Sequence, residues 1–531
     1  MDFQQSVSFV GCTSMLIYGV WRKLTNTVSK VSRVSKVSEV GEQISRNMSS
    51  KSSNVIPALV GYKYPAKEHC MNVKSRFVTK KGAAAEKTSA FFIAGGEIEP
   101  IKYCDQTKAF RQNRYFYYLT GCNIPGSSVL FDFKSGKLTL FLPDVDEEDI
   151  MWSGFPMSVE AALKKFDVDE VLYASDAPEL FANGLDAQFI YTTDLDNVHD
   201  SQISSKLIVG DEDLFSALNN ARSIKDWYEV ELLKKACEVT DTCHLAVMSA
   251  LPIEKTEGHI HAEFTYHALR QGSKFQGYDP ICCSGPSCST LHYVDNDADM
   301  DGKRSVLIDA GAEWECYTAD VTRCFPINGK WTKEHREIYD AVLDMQQTAM
   351  ERIKHGASWD EIHLSAHKVL IKHLLKLGIF KSNFSVEEIY DRKASIAFFP
   401  HGLGHLLGMD THDVGGREES ELYDDDNPYF KFLRLRRPLV TGMVVTNEPG
   451  CYFNPFLIEE FLDKHPERKE VVDREVMDKY LYIGGVRIED DLLVTKDGYE
   501  CLSKITKDPE EIEKIVSEGI AKGRSHFHVL A

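Results

Sequence analysis

Basic residues are outnumbered: 61 lysines and arginines against 81 aspartates and glutamates leave a formal charge of -20. No continuous cationic surface is available for counterion release from a phosphate backbone, so nucleic acid is excluded as a partner. There is no CxxC pair, and the 13 cysteines are scattered from Cys12 to Cys501, with only Cys282, Cys283 and Cys288 close together. That pattern speaks against a disulfide framework and fits a reducing compartment. Nor is there a clear run of about 20 predominantly apolar residues, the length a spanning helix needs. The nearest approach, Phe3 to Trp21, is uncharged but diluted by Gln4, Gln5, Ser6, Ser8, Thr13 and Ser14. Without a basic region before it or a small-residue cleavage site after it, it does not read as a secretory signal. It stands as a candidate membrane tether (residues 3-21), with Arg22, Lys23, Lys30, Arg33 and Lys36 holding the remainder in the cytosol if it inserts.

What the chain does contain is enough apolar sequence, 43% of 531 residues, for more than one globular core. Residues 1-55 read as an extension. Behind the candidate tether, Val28 to Glu39 repeats every three residues, matching neither helix nor strand, so 22-55 is expected to be a disordered linker. Its Ser-rich, basic character also resembles a mitochondrial transit peptide. Residues 56-210 alternate short apolar strands (90-94, 128-132, 138-142, 170-173) with a helix at Val159-Phe166, predicting an α/β layer domain. The aromatic stretch Phe110 to Gly121 is expected to pack a core or an interdomain seam. A second unit, 222-510, opens on a helix whose N-cap is read as Ser223, with Asp226 three residues on. Residues 511-531 are a tail. A helix at Trp359-Leu375 carries His363 and His367 four apart, but Leu364 stands where an HExxH motif needs glutamate, so both are expected on a solvated polar face.

The chemistry concentrates in Pro400 to Asp413, where His401, His405 and His412 fall among glycines that forbid a plain helix. Four acids sit in comparable settings, each in a short apolar run: Asp309, Asp320, Glu448 and Glu489. Aspartate is disfavoured in strands. A hairpin would bring Asp309 and Asp320 to one edge, where two carboxylates repel unless a cation is present. Four carboxylates and one histidine form an oxygen-rich set that suits two divalent cations, Mn²⁺ before a thiolate-type zinc, sharing a hydroxide as hydrolases do.

The segments DAGAEWECYTADVTR, HGLGHLLGMDTHDVGG, TNEPGCYF and GGVRIEDD, in that order, resemble the dinuclear metallopeptidases of the pita-bread fold, in the proline-directed branch of prolidase and aminopeptidase P. FRQNRYFYYLTG resembles a motif of that branch's N-terminal domain, so the likeness runs from about Ile56 to Leu502. The resemblance implies an α/β (α+β) chain, with an aminopeptidase P-type N-terminal domain followed by a catalytic pita-bread domain. It implies that Asp309 chelates one ion, that Asp320 and Glu489 bridge the pair, and that His405 with Glu448 completes the second. It further implies that Glu448 handles the proton of the attacking water, that His292, His401 and His412 face substrate, and that Arg487 lies near the bridging glutamate. The reaction implied is hydrolysis of the bond before proline in small peptides with proline in second position. A homodimer is also implied.

Arg434, in Leu433 to Arg437, aligns with the arginine that prolidases use for a free carboxylate, and the long insert between Tyr452 and Gly484 also looks like prolidase. The reading preferred from sequence is therefore Xaa-Pro dipeptidase, with Xaa-Pro aminopeptidase as the alternative. A non-catalytic pita-bread binding module is the alternative from another class, and the retained five-ligand set argues against it. Cys283 to Cys288 departs from the family's loop at that position. The expected location is cytoplasmic; membrane-anchored with the catalytic part in the cytosol, or mitochondrial, are the alternatives.

Overall fold

The computed structural model describes residues 55-418, 423-523 and 526-527. The predicted tether and nearly all of the linker lie outside them. Among the described residues no helix is long and apolar enough to cross a membrane.

The first layer forms where alternating apolar runs called for strands. Helix α1 (Ala66–Lys81) precedes β1 (Ser89–Ala94), and helix α2 (Arg114–Thr120) precedes β2 (Ser128–Asp132), β3 (Leu138–Leu142), β4 (Glu170–Tyr173), β5 (Phe189–Thr192) and β6 (Leu207–Val209). Their order across the sheet is β4-β3-β2-β1-β5-β6. The central strand pairs antiparallel with β2 and parallel with β5. Its residues are buried throughout, and Phe77 of α1 packs edge-on against Phe133 and Tyr191. Residues 144-162 belong to a separate compact unit and carry the helical turn Ile150–Ser153 and the start of the helix Val159–Lys165.

The second layer contains β7 (Ile281–Ser284), β8 (Ser305–Asp309) and β9 (Thr322–Pro326) in one antiparallel sheet. A second sheet joins β10 (Val444–Asn447), β13 (Asp490–Val494) and β14 (Tyr499–Cys501), and between them β11 (Gly450–Tyr452) pairs with β12 (Gly485–Arg487). Helices including α3 (Trp227–Ala250) and α4 (Trp359–Lys376) accompany the sheets.

Two local expectations fail for physical reasons. Asp226, not Ser223, caps α3: its side chain accepts from Glu229 N and the Glu229 carboxylate accepts from Asp226 N. Ser223 instead ends the preceding helix, Glu212–Arg222, donating to Asn220 O, and sequence alone does not separate helices joined so closely. His363 and His367 are buried rather than solvated. Their rings lie against Phe399, with His363 Nε2 2.7 Å from Tyr429 O and His367 Nδ1 3.0 Å from Ser395 Oγ. Burial pushes His363 down to about 4, so it stays neutral.

The aromatic stretch forms α2 and does pack a seam. Arg111 and Arg114 both donate to Glu313 Oε2 at 2.7 Å, and Tyr117 donates to Glu315. Deeper in the seam lies His69, stacked on Tyr118 at 4.2 Å between ring centroids. Its Nδ1 is 2.7 Å from Tyr118 O and its Nε2 is 2.9 Å from Asp226 Oδ2, with Glu229 Oε2 at 3.7 Å. Both ring nitrogens face acceptors, so each carries a proton and the ring is cationic. Burial opposes that charge, but Asp226 and Glu229 outweigh it and the pKa is raised. Tyr317 donates to Glu229 Oε1 at 2.8 Å and its hydroxyl lies 3.0 Å from that of Tyr64, extending the network toward the hairpin that carries Asp320.

Candidate metal centre and substrate cavity

Asp309 closes β8 and stands opposite Thr322, which opens β9. The connection passes through the two-residue turn Glu315-Cys316, both at positive φ (48° and 66°) as a type I′ turn demands. Gly311 lets the strands converge, because a Cβ there would lie 1.7 Å from Ala319 O. Glu448 follows β10 directly and Glu489 sits between β12 and β13. His405 is pinned to β10 by reciprocal bonds: its N–H donates to Thr446 Oγ1 and its carbonyl accepts from Thr446 N. Gly404 makes that approach feasible, since a Cβ would lie 2.1 Å from Thr446 O.

These elements bring together all five residues expected to hold metal. Asp320, His405 and Glu489 each offer a ligand atom within 4.8 Å of the others. His405 Nε2 lies 3.4 Å from Asp320 Oδ2 and 3.5 Å from Glu448 Oε1. Its Nδ1–H donates to Leu406 O at 3.0 Å, which leaves Nε2 as a bare lone pair facing the acids. Burial pushes this imidazole down to about 4, so it is neutral. The acids move the other way. Burial raises Asp320 well above the ordinary range, helped by the charges of Asp309 and Glu448. Glu489 is raised by burial and then by Asp320 and Asp309, and Glu448 by burial and then by Glu489. Clustered carboxylates that resist ionisation, beside an aimed neutral imidazole, are a donor set suited to divalent cations.

Among the substrate candidates, His401 Nδ1 is 2.8 Å from Gly402 O, and its Nε2 accepts from Tyr452 OH at 2.8 Å. Burial, with Arg487 nearby, pushes it down to about 3. His412 is exposed, its ring edge-on to His405 at 4.5 Å, and His292 is exposed on the cavity wall. Arg434 is exposed on the same cavity, without a hydrogen-bond or ion-pair partner among the described residues, whereas Arg436 grips Asp360 and Arg437 pairs with Glu418. Arg487 lies near Glu489, where the resemblance put it, and is not exposed as His292, His412 and Arg434 are. It is buried, and its donors go to Asp309 Oδ2 (2.6 Å), Tyr452 OH (2.9 Å) and Thr322 Oγ1 (3.1 Å). It reaches Glu489 only through Thr322, which donates to Glu489 Oε2 at 2.6 Å. A guanidinium so fully used orients acids rather than binding substrate.

The residue missed by sequence is Tyr278, whose hydroxyl meets Asp309 Oδ1 at 2.5 Å and Asp320 Oδ1 at 2.6 Å. A lone tyrosine in Gly277 to Pro280 has no periodic or motif signal to mark it. Tyr278→Phe is expected to lower divalent-cation affinity about 10- to 100-fold, as loss of an outer partner does, measured by competition with a fluorescent chelator.

The site floors a cavity of about 1510 Å³. The model of metallopeptidase family M24 matches residues 231–496, and that of the aminopeptidase P N-terminal domain matches residues 72–191. The chain is 60% identical over 478 residues to an uncharacterized peptidase of Saccharomyces cerevisiae, covering 90% of this chain and 89% of that protein. It is 44% identical over 464 residues to a protein of Verticillium alfalfae named probable Xaa-Pro aminopeptidase, covering 86% and 97%. Among solved structures it is similar to zinc-substituted E. coli aminopeptidase P in complex with product, at a TM-score of 0.69 and 29% identity, over 86% of this chain and 99% of that one. Aminopeptidase PepP of Pseudomonas aeruginosa matches at a TM-score of 0.70 and 28% identity, over 86% and 99%.

Proposed function

The chain belongs to metallopeptidase family M24, and from that premise we propose that it is a metal-dependent Xaa-Pro aminopeptidase, releasing the residue that precedes proline at the amino end of a peptide. This replaces the dipeptidase preference drawn from sequence, because the named relatives and solved neighbours are aminopeptidases. The observation that carries it is the convergence of Asp309, Asp320, His405, Glu448 and Glu489 under one large cavity. The cavity exceeds the roughly 300–1,000 Å³ usual for small-molecule pockets, so there is room for a peptide that continues beyond proline.

In this reading Asp309, Asp320, His405, Glu448 and Glu489 would hold two divalent cations, Mn²⁺ first among them. Bound there, the cations supply Lewis acidity to the scissile carbonyl and make water acidic enough to attack at neutral pH. Glu448 takes the proton from the attacking water and returns it to the proline nitrogen as the bond breaks. His412 donates to the oxygen that becomes negative, and His401, whose Nε2 accepts from Tyr452 OH, faces the substrate beside it. His292 contacts the substrate from the cavity wall. Arg487 and Tyr278 keep Asp309 oriented. Catalysis falls to residues 222-510, with 56-210 closing the seam through Arg111 and Arg114. A homodimer goes with the family resemblance, and a cytoplasmic location with the scattered cysteines.

One observation favours the dipeptidase as a second reading: Arg434 faces the cavity unpaired, as a guanidinium awaiting a carboxylate would. Mn²⁺-loaded protein, wild type beside Arg434→Ala, separates the two on Gly-Pro and Gly-Pro-Ala. The aminopeptidase reading expects glycine to be released from the tripeptide with the higher kcat/KM, and the variant to weaken both substrates. Cleavage confined to Gly-Pro and abolished by the variant would establish the dipeptidase instead.

A further inference from the structure

The outer wall of the catalytic cavity is apolar in a place where an exposed apolar surface has a cost. Phe432 and Phe456 line it at 54% and 67% exposure, and Leu457 and Phe461 line it half-buried. Phe456, Leu457 and Phe461 come from two adjoining short helices, Pro455–Ile458 and Glu459–Asp463, within the long segment between β11 and β12. Aromatic rings clustered at the rim of a reaction cavity mark a place where ligand surface is covered. Their position relative to the scissile bond follows from Arg434. In the irregular stretch after Lys431, Leu433 and Leu435 are buried while Phe432 and Arg434 are exposed and both line the cavity. Gly402 holds this stretch close to the histidine segment, since a Cβ there would lie 3.0 Å from Phe432 O. Arg434, without an ion-pair partner among the described residues, is suited to the carbonyl or carboxylate on the far side of proline. Phe432 therefore lies on that side too, away from the residue that is released.

We infer that Phe432 and Phe456 form a subsite for a bulky apolar side chain on the residue immediately after proline, so that the preferred substrates are Xaa-Pro-Φ peptides, where Φ is aromatic or a large aliphatic. The inference rests on the aminopeptidase reading, because a dipeptide has no such residue. It is tested with Gly-Pro-Phe, Gly-Pro-Gly, Phe-Pro-Gly and Gly-Pro on wild type and on the double variant Phe432→Ala/Phe456→Ala, both truncations at exposed positions. Wild type is expected to favour Gly-Pro-Phe over Gly-Pro-Gly by about tenfold or more in kcat/KM, the scale of discrimination by an apolar pocket. The double variant is expected to bring that ratio close to one while the Phe-Pro-Gly to Gly-Pro-Gly ratio stays where it was. A wild-type ratio near one, a ratio that survives the double substitution, or a change confined to Phe-Pro-Gly would overturn the subsite. Cleavage of Gly-Pro with none of the three tripeptides cut would overturn the aminopeptidase reading and the subsite with it.

Discussion

Glu489→Gln is expected to reduce kcat/KM by on the order of a thousandfold or more, the scale seen when a group that stabilises transition-state charge is removed. The amide is nearly isosteric, so Thr322 retains a partner and the fold is undisturbed. What disappears is one negative charge from a set of four carboxylates, at the position where Asp320, His405 and Glu489 converge within 4.8 Å. Cation content measured on the purified variant should fall below two per chain. A variant that keeps both full activity and two ions would remove Glu489 from the site.

The second large effect lies in the seam. His69→Asn is expected to destabilise the chain by about 3–5 kcal/mol, because deleting one partner of a buried ion pair leaves the other charge uncompensated. Here the abandoned groups are Asp226, which caps α3, and the fully buried Glu229. The pH dependence has a definite sign. Folding raises the pKa of His69, so its contribution is complete below the unfolded value of about 6.5 and is lost as pH rises through the folded value. The stability gap between wild type and variant should therefore be widest in mildly acidic buffer and narrow on the alkaline side, as followed by denaturant unfolding across pH. A gap independent of pH would mean that the ring acts by packing on Tyr118 alone.

How much of this was legible in the sequence depended on the kind of signal. Short apolar runs such as Ser128 to Asp132 and Leu138 to Leu142 became strands with the expected bounds, because burial of a short apolar run admits few alternatives. The acids at Asp309, Asp320, Glu448 and Glu489 stood out because each interrupts or closes a short apolar run, a place where a carboxylate is disfavoured. The failures share a cause, which is tertiary context. His363 and His367 count as polar on a helical wheel, yet a carbonyl and a hydroxyl from elsewhere in the chain satisfy them in the interior. Arg487 lies two residues from Glu489, but its guanidinium is taken by Asp309 on another sheet, a partner no local pattern names. Tyr278 acts through a contact with two acids distant in sequence, which no local pattern encodes. Arg434 shows the limit for function. Its unpaired position on the cavity suits a substrate carboxylate, but the sequence around it does not tell whether that carboxylate belongs to proline or to a longer peptide.

The most direct measurement is a metal titration of chelator-stripped protein with Mn²⁺, following bound ions per chain and free glycine released from Gly-Pro-Ala together. The site described here predicts no turnover in the stripped state and recovery that is complete as the second ion binds. Glycine release that persists without metal, or a chain carrying two ions that cuts neither Gly-Pro-Ala nor Gly-Pro, would contradict it.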